Sequence, residues 1–315
     1  MIGTRVASRP RLGLRQTGMI TGIFFLPLIA GPAAEPQAPE ARLLVRDAAY
    51  GPGGPAASDP GRTLDLYGPA QKPDTPRPIV LFVHGGGWRH GDKRMVGEKP
   101  SAFAAGGCLF ASAGYRLAAA VSPREQAADI AAAVRWLHDH ASEHGGDPGK
   151  IVLMGHSAGA HLVALVSTDE RLLKACDLDR SAVRGVVLLD GAGYDVPRQV
   201  AAARLPMLKD LYRKAFGDDP TAQREASPIE YVKPGGQYPP VLAFHVGRRQ
   251  DSREQAESLA ARVREAGGRA TTVHEPDKNH LTLNRELGLP GDGPTGRIFE
   301  FLDDVLAERS ATDSK

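Results

Sequence analysis

The sequence predicts an α/β fold, a mostly parallel central sheet with helices on both faces and a small lid-like insertion. Three observations lead there. Short, continuous apolar runs such as Ile79–Val83, Lys150–Met154 and Val241–Val246 suit strands buried on both faces. Between them lie longer segments whose apolar residues recur with helical spacing, and strands alternating with helices imply a parallel sheet. Glycine-rich turns also follow two of the strands directly, the places where such sheets carry their chemistry.

Taken in order, Arg62–Tyr67 alternates as a strand does, and a proline-rich turn leads into the run at 79–83. Gly107–Ala111 is the next strand. Ser122-Pro-Arg-Glu125 starts a helix, with Ser122 as N-cap, Pro123 at the first helical position and Glu125 closing a capping box. Ile130, Val134, Leu137 and Ala141 share one face of it, and Gly145-Gly146 ends it. The strand at 150–154 is followed by a helix over 158–167, a strand at 186–189, the strand at 241–246, a helix over 253–266, a strand at 270–274 and a closing helix over 297–308. Residues 191–240 break this rhythm, being too long for a simple crossover, and predict an insertion with a helix around 200–216 that covers a pocket. The main α/β domain is thus expected over 61–309, preceded by a linker and irregular edge at 35–60 and followed by a disordered tail at 310–315.

The 315 residues are 42% apolar and 24% charged, which excludes a disordered tail protein and leaves ample material for a core. The net charge of +2 is unevenly placed: Arg5, Arg9, Arg11 and Arg15 lie in the first 34 residues with no acid, and removing those four leaves −2. A chain without a basic field lacks the main driving force for binding phosphate backbones, so no nucleic-acid partner is expected. The same arginines precede the apolar run 19–30 and then small and proline residues, the layout of a secretory leader over 1–34. The run is too short for a membrane span, which needs roughly 20 apolar residues. Export to the periplasm or medium is the expectation, with a start-codon extension of a cytoplasmic protein as its rival. Cys108, in a strand-like stretch, reads as a buried free thiol, and no disulfide to Cys176 is supported.

Gly155-His-Ser-Ala-Gly159 stands between a strand and a helix. A serine on so sharp a turn needs small neighbours two residues to either side, and it projects past the strand ends at a helix N-terminus. With 36 glycines in the chain the pattern alone carries little weight; its context makes Ser157 the candidate nucleophile. His84-Gly-Gly-Gly-Trp88 directly follows another buried strand, and Gly86, Gly87 and Ala158 are the candidate N–H donors to an oxyanion. Trp88 and His156 are expected to line the pocket. A serine hydroxyl needs a base, itself oriented by a carboxylate. Among ten histidines, His280 lies in the polar loop after the last strand, at the end of the sheet where Ser157 emerges. His140 and His144 have metal-like spacing, but cationic groups at a helix C-terminus simply complement its dipole, and no metal site is expected. For the acid, Asp251 follows the strand 241–246 by a short loop and is preferred; Asp190, at the end of the strand 186–189, competes.

Together the two glycine loops, with Thr63–Tyr67, Gly91-Asp-Lys93, Tyr115-Arg-Leu117 and Asn279-His280, resemble the α/β-hydrolase superfamily, and within it the esterases with a His-Gly-Gly-Gly-Trp loop. That group includes kynurenine formamidase-like, acetyl esterase-like and feruloyl or acetylxylan esterase-like enzymes. The similarity runs from about Arg62 to Leu306. It implies the α/β-hydrolase fold, no cofactor, a small-molecule ester substrate, and Ser157, His280 and Asp251 as nucleophile, base and acid. Where relatives place an acid after the strand at 241–246, this chain has Arg249, and Asp251 comes two residues later. The expected activity is therefore hydrolysis of short-chain, acetyl or aryl esters through an acyl-enzyme, falling on acidification. An arylformamidase-type amide hydrolase and a non-catalytic binding protein are the alternatives.

Overall fold

A computed structural model describes residues 41–51, 59, 61–69, 72, 74–118 and 121–307. The leader and the tail at 310–315 lie outside the described residues. Eight strands form one sheet: β1 (Arg42–Ala49), β2 (Thr63–Gly68), β3 (Arg77–Val83), β4 (Leu109–Ala113), β5 (Gly146–His156), β6 (Val183–Leu189), β7 (Val241–Val246) and β8 (Ala270–Glu275). Their order is β1-β2-β4-β3-β5-β6-β7-β8. β1 and β2 are antiparallel to their neighbours, and the six from β4 to β8 run parallel. The described helices are α1 (Lys99–Ala105), α2 (Pro123–His140), α3 (Ala158–Thr168), α4 (Glu170–Lys174), α5 (Val196–Ala202), α6 (Pro206–Phe216), α7 (Pro220–Glu225), α8 (Gln250–Glu265), α9 (His280–Arg285) and α10 (Gly293–Ala307).

The continuous apolar runs have a direct cause. In β3, Ile79, Leu81 and Val83 enter the core on the face covered by α2 and α3, while Val80 and Phe82 enter the core shared with Phe103 of α1 and Ile298 and Leu302 of α10. A strand buried on both sides has no polar face to display. Each such side chain contributes about 1.5–3 kcal/mol of burial free energy, so a charge at Leu81 or Phe82 would break the sheet centre. The start of α2 is as expected: Ser122 accepts from the Glu125 N–H, and Glu125 reaches back to the Ser122 N–H in a capping box.

Within 35–60, expected as linker and irregular edge, the described residues hold an edge strand, β1, which pairs with β2 through two register shifts. One expectation is corrected. The helix expected around 200–216 is two helices, α5 and α6. Pro206 has no N–H to continue a helix and pushes the preceding residue into extended backbone, and Leu205 has ψ 132°. Cys108 and Cys176 are both free, and burial pushes the Cys108 thiol up to about 12. No helix among the described residues is long and apolar enough to cross a membrane.

Candidate active site

Ser157 stands between β5 and α3 with φ 55° and ψ −119°, a left-handed-side conformation that a non-glycine residue keeps only when its surroundings hold it there. The Leu189 carbonyl, at the end of β6, accepts from its N–H at 3.0 Å. The flanking glycines make the turn sterically feasible. A Cβ on Gly155 would fall against the backbone of Gly159, and one on Gly159 against the Val83 carbonyl, so α3 could not start so close to the sheet. Ala158 is the first residue of α3, and its N–H is among those that a helix leaves without an internal acceptor.

The loop from His84 to Gly91 is held over this turn. Tyr115 Oη donates to the His84 carbonyl at 3.0 Å, and its ring stacks on His84 with centroids 4.4 Å apart. Gly86, Gly87 and Trp88 all have positive φ, at 127°, 59° and 63°. The Gly86 carbonyl accepts from the N–H groups of Arg89 and His90, turning the loop back on itself. Trp88 is almost wholly buried: its Nε1 donates to His161 at 3.1 Å, and its indole packs edge-on against Phe216 of α6. Trp88 therefore ties the glycine loop to the insertion as well as backing the cleft. His161, buried and pushed down to about 4 by desolvation, donates from Nε2 to the Ala226 carbonyl at 2.7 Å.

His280 is the first residue of α9, with Asn279 capping that helix in a capping box. Its Nε2 lies 3.0 Å from Ser157 Oγ, and its Nδ1 lies 2.6 Å from Asp190 Oδ2. A proton on Nδ1 pointing to the carboxylate leaves Nε2 free to accept from the serine. His156 supports the ring from the other side, with centroids 4.6 Å apart and Nε2 at 2.8 Å from the His280 carbonyl. Burial and the neighbouring His280 push His156 down to about 3, so it is neutral at ordinary pH and donates from Nε2 to that carbonyl.

The preferred acid is corrected. Asp251 does not meet the imidazole: it is the second residue of α8, and its Oδ2 is bonded to Arg249 at 3.3 Å and to Gln199 at 3.4 Å. Helix α8 begins at Gln250, so the loop after β7 has no slack to carry Asp251 to the ring. Asp190, the competitor, stands there instead. It follows β6 directly with φ 47° and is completely buried. Burial pushes its carboxyl up, but bonds from His280 and Ser252 and the Arg249 guanidinium outweigh this and hold it below the ordinary carboxylate value.

Arg249 is the site residue that sequence reasoning passed over. Its Nη1 lies 2.5 Å from Asp190 Oδ2 and 2.7 Å from His280 Nδ1. The only sequence signal was a cation where an acid was sought.

Above these groups opens a cleft of about 870 Å³, lined by the glycine loop and by Met95, Leu205, Leu208, Leu211 and Leu281. Ser157 and His280 line it too, with Arg248, Arg249, Gln250 and Asp251 on a polar side, so the hydroxyl opens into a largely apolar chamber flanked by α6. Among the described residues no group of three or more metal-ligating side chains converges. His140 is instead bonded to Glu143 at 3.1 Å.

Comparison with known proteins agrees with this architecture. The chain is 30% identical to the esterase LipC of Mycobacterium tuberculosis over 219 residues, 65% of this chain and 53% of that protein. It is 28% identical to the esterase LipQ of the same organism over 304 residues, 92% of this chain and 68% of that protein. The chain thus spans about half to two thirds of the length of these curated relatives. Esterase B from Lactobacillus rhamnosis superposes with a TM-score of 0.72 at 23% identity, covering 89% of this chain and 91% of that one, a likeness of fold. Propionate-bound esterase 2 of Thermogutta terrifontis superposes at 0.63 with 28% identity, covering 87% and 96%. Residues 64–261 match the protein family described as BD-FAE, and the chain belongs to that family of α/β-hydrolase esterases.

Proposed function

We propose that this protein is a serine-dependent carboxylic ester hydrolase acting on short-chain, acetyl or aryl esters. The observation that carries the reading is the line from Ser157 Oγ to His280 Nε2 at 3.0 Å and from His280 Nδ1 to Asp190 Oδ2 at 2.6 Å, opening into a largely apolar cleft. His280 takes the hydroxyl proton at Nε2 as Ser157 Oγ attacks the ester carbonyl carbon. The tetrahedral oxyanion is held by the N–H groups of Gly86, Gly87 and Ala158. The intermediate collapses, the C–O bond to the alcohol breaks, and His280 returns the proton to the departing oxygen. Water then repeats the sequence on the acyl-enzyme and frees Oγ. Asp190 keeps the Nδ1 proton in place and stabilises the imidazolium formed in each half-reaction. His156 and Asn279 fix where the ring stands.

The test is a side-by-side assay on p-nitrophenyl acetate, acetylated sugars, feruloyl esters and N-formylkynurenine, with wild type and Ser157→Ala. Ester turnover lost in Ser157→Ala supports the reading; preference for the formamide moves the activity to amide cleavage, and no turnover of any of them overturns catalysis. We further infer export to the periplasm or medium, supported by the basic, apolar, then small layout of residues 1–34. Fractionation of cells expressing the full chain tests it, and recovery in the cytoplasm with the N-terminus intact overturns it.

A further inference from the structure

We propose that Arg248 is a specificity residue for the alcohol half of the substrate, and that the preferred substrates are esters of hydroxy acids, with a carboxylate on that half. The proposal rests on the hydrolase reading above and narrows the class of ester that reading leaves open.

The cleft meets two landmarks of the site with two different chemistries. Leu211 of α6 packs close to Gly87, so the apolar wall adjoins the glycine loop. The segment 248–251 adjoins the base: all four of its residues line the cleft, and Arg249 Nη1 comes within 2.7 Å of the His280 ring. In acyl transfer the base hands its proton to the departing alcohol oxygen. The alcohol half therefore leaves at the imidazole end of the cleft, the end bounded by this polar segment. Leu281, next in the chain to His280, also lines the cleft and gives that end an apolar surface suited to an aryl alcohol.

The charges on the segment are unequally engaged. Arg249 is paired with Asp190 and Asp251, and Gln250 Nε2 donates to Glu254 at 2.8 Å. Asp251 is the single carboxylate lining the cleft among the described residues, and Arg249 holds it at 3.3 Å. Arg248 is exposed and makes no ion pair or side-chain hydrogen bond with any described residue. The acids that share the neighbouring groove with it are occupied, Glu254 by Arg198 and Glu257 by Arg253. A guanidinium without a counter-ion offers a carboxylate two parallel N–H donors, and no free acid in the cleft opposes entry of the anion. A fully exposed pair is worth little, and the apolar surface beside this one strengthens it. The expected gain is about five- to tenfold in kcat/KM, shrinking as salt screens the pair.

The experiment measures kcat/KM for two acetate esters on one phenol frame, meta-acetoxybenzoate and its uncharged methyl ester. The proteins are wild type, Arg248→Gln, Arg248→Lys and Arg248→Glu. Within each protein the acid-to-methyl-ester ratio is taken, and comparing ratios between proteins cancels the intrinsic reactivities. The ratio is expected to fall about five- to tenfold in Arg248→Gln, further in Arg248→Glu, and by less than about twofold in Arg248→Lys. Added salt should lower it in wild type and leave it unmoved in Arg248→Gln. A second pair carries the carboxylate on the acyl half: p-nitrophenyl hemisuccinate against p-nitrophenyl butyrate. Its ratio should not change in Arg248→Gln. An acetoxybenzoate ratio unmoved by Arg248→Gln overturns the proposal, whatever happens to the separate rates, because a structural role lowers both esters alike. An equal fall in the hemisuccinate ratio also overturns it, since the arginine would then attract anions without reading the alcohol half. Failure of the hydrolase reading looks different and takes this proposal with it: p-nitrophenyl acetate turnover is then absent, or survives Ser157→Ala.

Discussion

Asp190 and His280 meet at 2.6 Å although they lie 90 residues apart, one at the end of β6 and the other at the head of α9. The contact is completely buried on the carboxylate side, so the charge on Asp190 is committed to its partners rather than to water. Asparagine there keeps the shape but offers Nδ1 an uncharged partner that can also reverse the tautomer. Asp190→Asn is expected to lower kcat by about 10³- to 10⁴-fold. Asp251→Asn, whose side chain is about one-third exposed and bonded to Arg249, is expected to change kcat by no more than about fivefold, the scale of an exposed ion pair. Steady-state kinetics of the two variants check this, and the reverse ranking would return the acid role to Asp251.

The glycine loop is tested at Gly86. Its φ of 127° is poorly tolerated with a Cβ, and a Cβ there would run into the carbonyl of His90, the residue whose N–H closes the loop on Gly86. Gly86→Ala must displace the backbone N–H groups of this loop, to which we assign the oxyanion. We expect kcat to drop by about 10²- to 10³-fold, with far-UV circular dichroism unchanged because the loop lies outside the sheet. Unaltered kcat in a folded variant would remove this loop from the oxyanion site.

What could be read from the sequence follows from how locally each feature is encoded. Strands β3, β5, β6 and β7 were legible because burial on both faces writes an unbroken apolar run. Strand β1 was not, since an edge strand half exposed to solvent reads as Arg-Leu-Leu-Val-Arg-Asp with no clear period. The six-residue α9 was too short to show periodicity, so His280 was placed in a loop though it opens a helix. Ser157 was legible because its turn constrains the residues beside it. The acid was not: whether Asp190 or Asp251 turns inward depends on a backbone torsion at Asp190 and on the start of α8 one residue before Asp251, neither of which leaves a sequence pattern.

The cleft makes a prediction about chain length. Leu208 and Leu211 of α6 line it beside Met95 and Leu281, and Leu211 packs close to Gly87 of the glycine loop. Each methylene buried there is worth about 0.8 kcal/mol, so kcat/KM should rise by up to about fourfold per carbon from acetate to butyrate esters. Leu211→Ser should flatten that series while leaving acetate turnover within a few-fold. An equal loss for every chain length would mean that α6 supports the loop without touching the acyl group.

Lys99 provides the last prediction, on stability. Its side chain is buried on α1, with Nζ donating to the carbonyls of Asn284 and Val96 and lying 5.0 Å from the Phe82 ring centroid. Burial pushes its ammonium down from 10.5 to about 8, with Asp292 opposing. In the unfolded chain the group keeps its ordinary value, so between about pH 8 and 10.5 the unfolded state binds more protons and folding becomes more favourable as pH rises. Below pH 8 both states are protonated and the full desolvation cost, on the order of 3 kcal/mol, is borne by the folded protein. Lys99→Met removes this titration. Urea unfolding of both proteins at pH 7, 8, 9 and 10 should therefore show the stability of wild type rising relative to that of Lys99→Met across the window. Parallel pH dependences for the two would mean that water reaches the Lys99 ammonium and that its burial costs far less than the folded geometry implies.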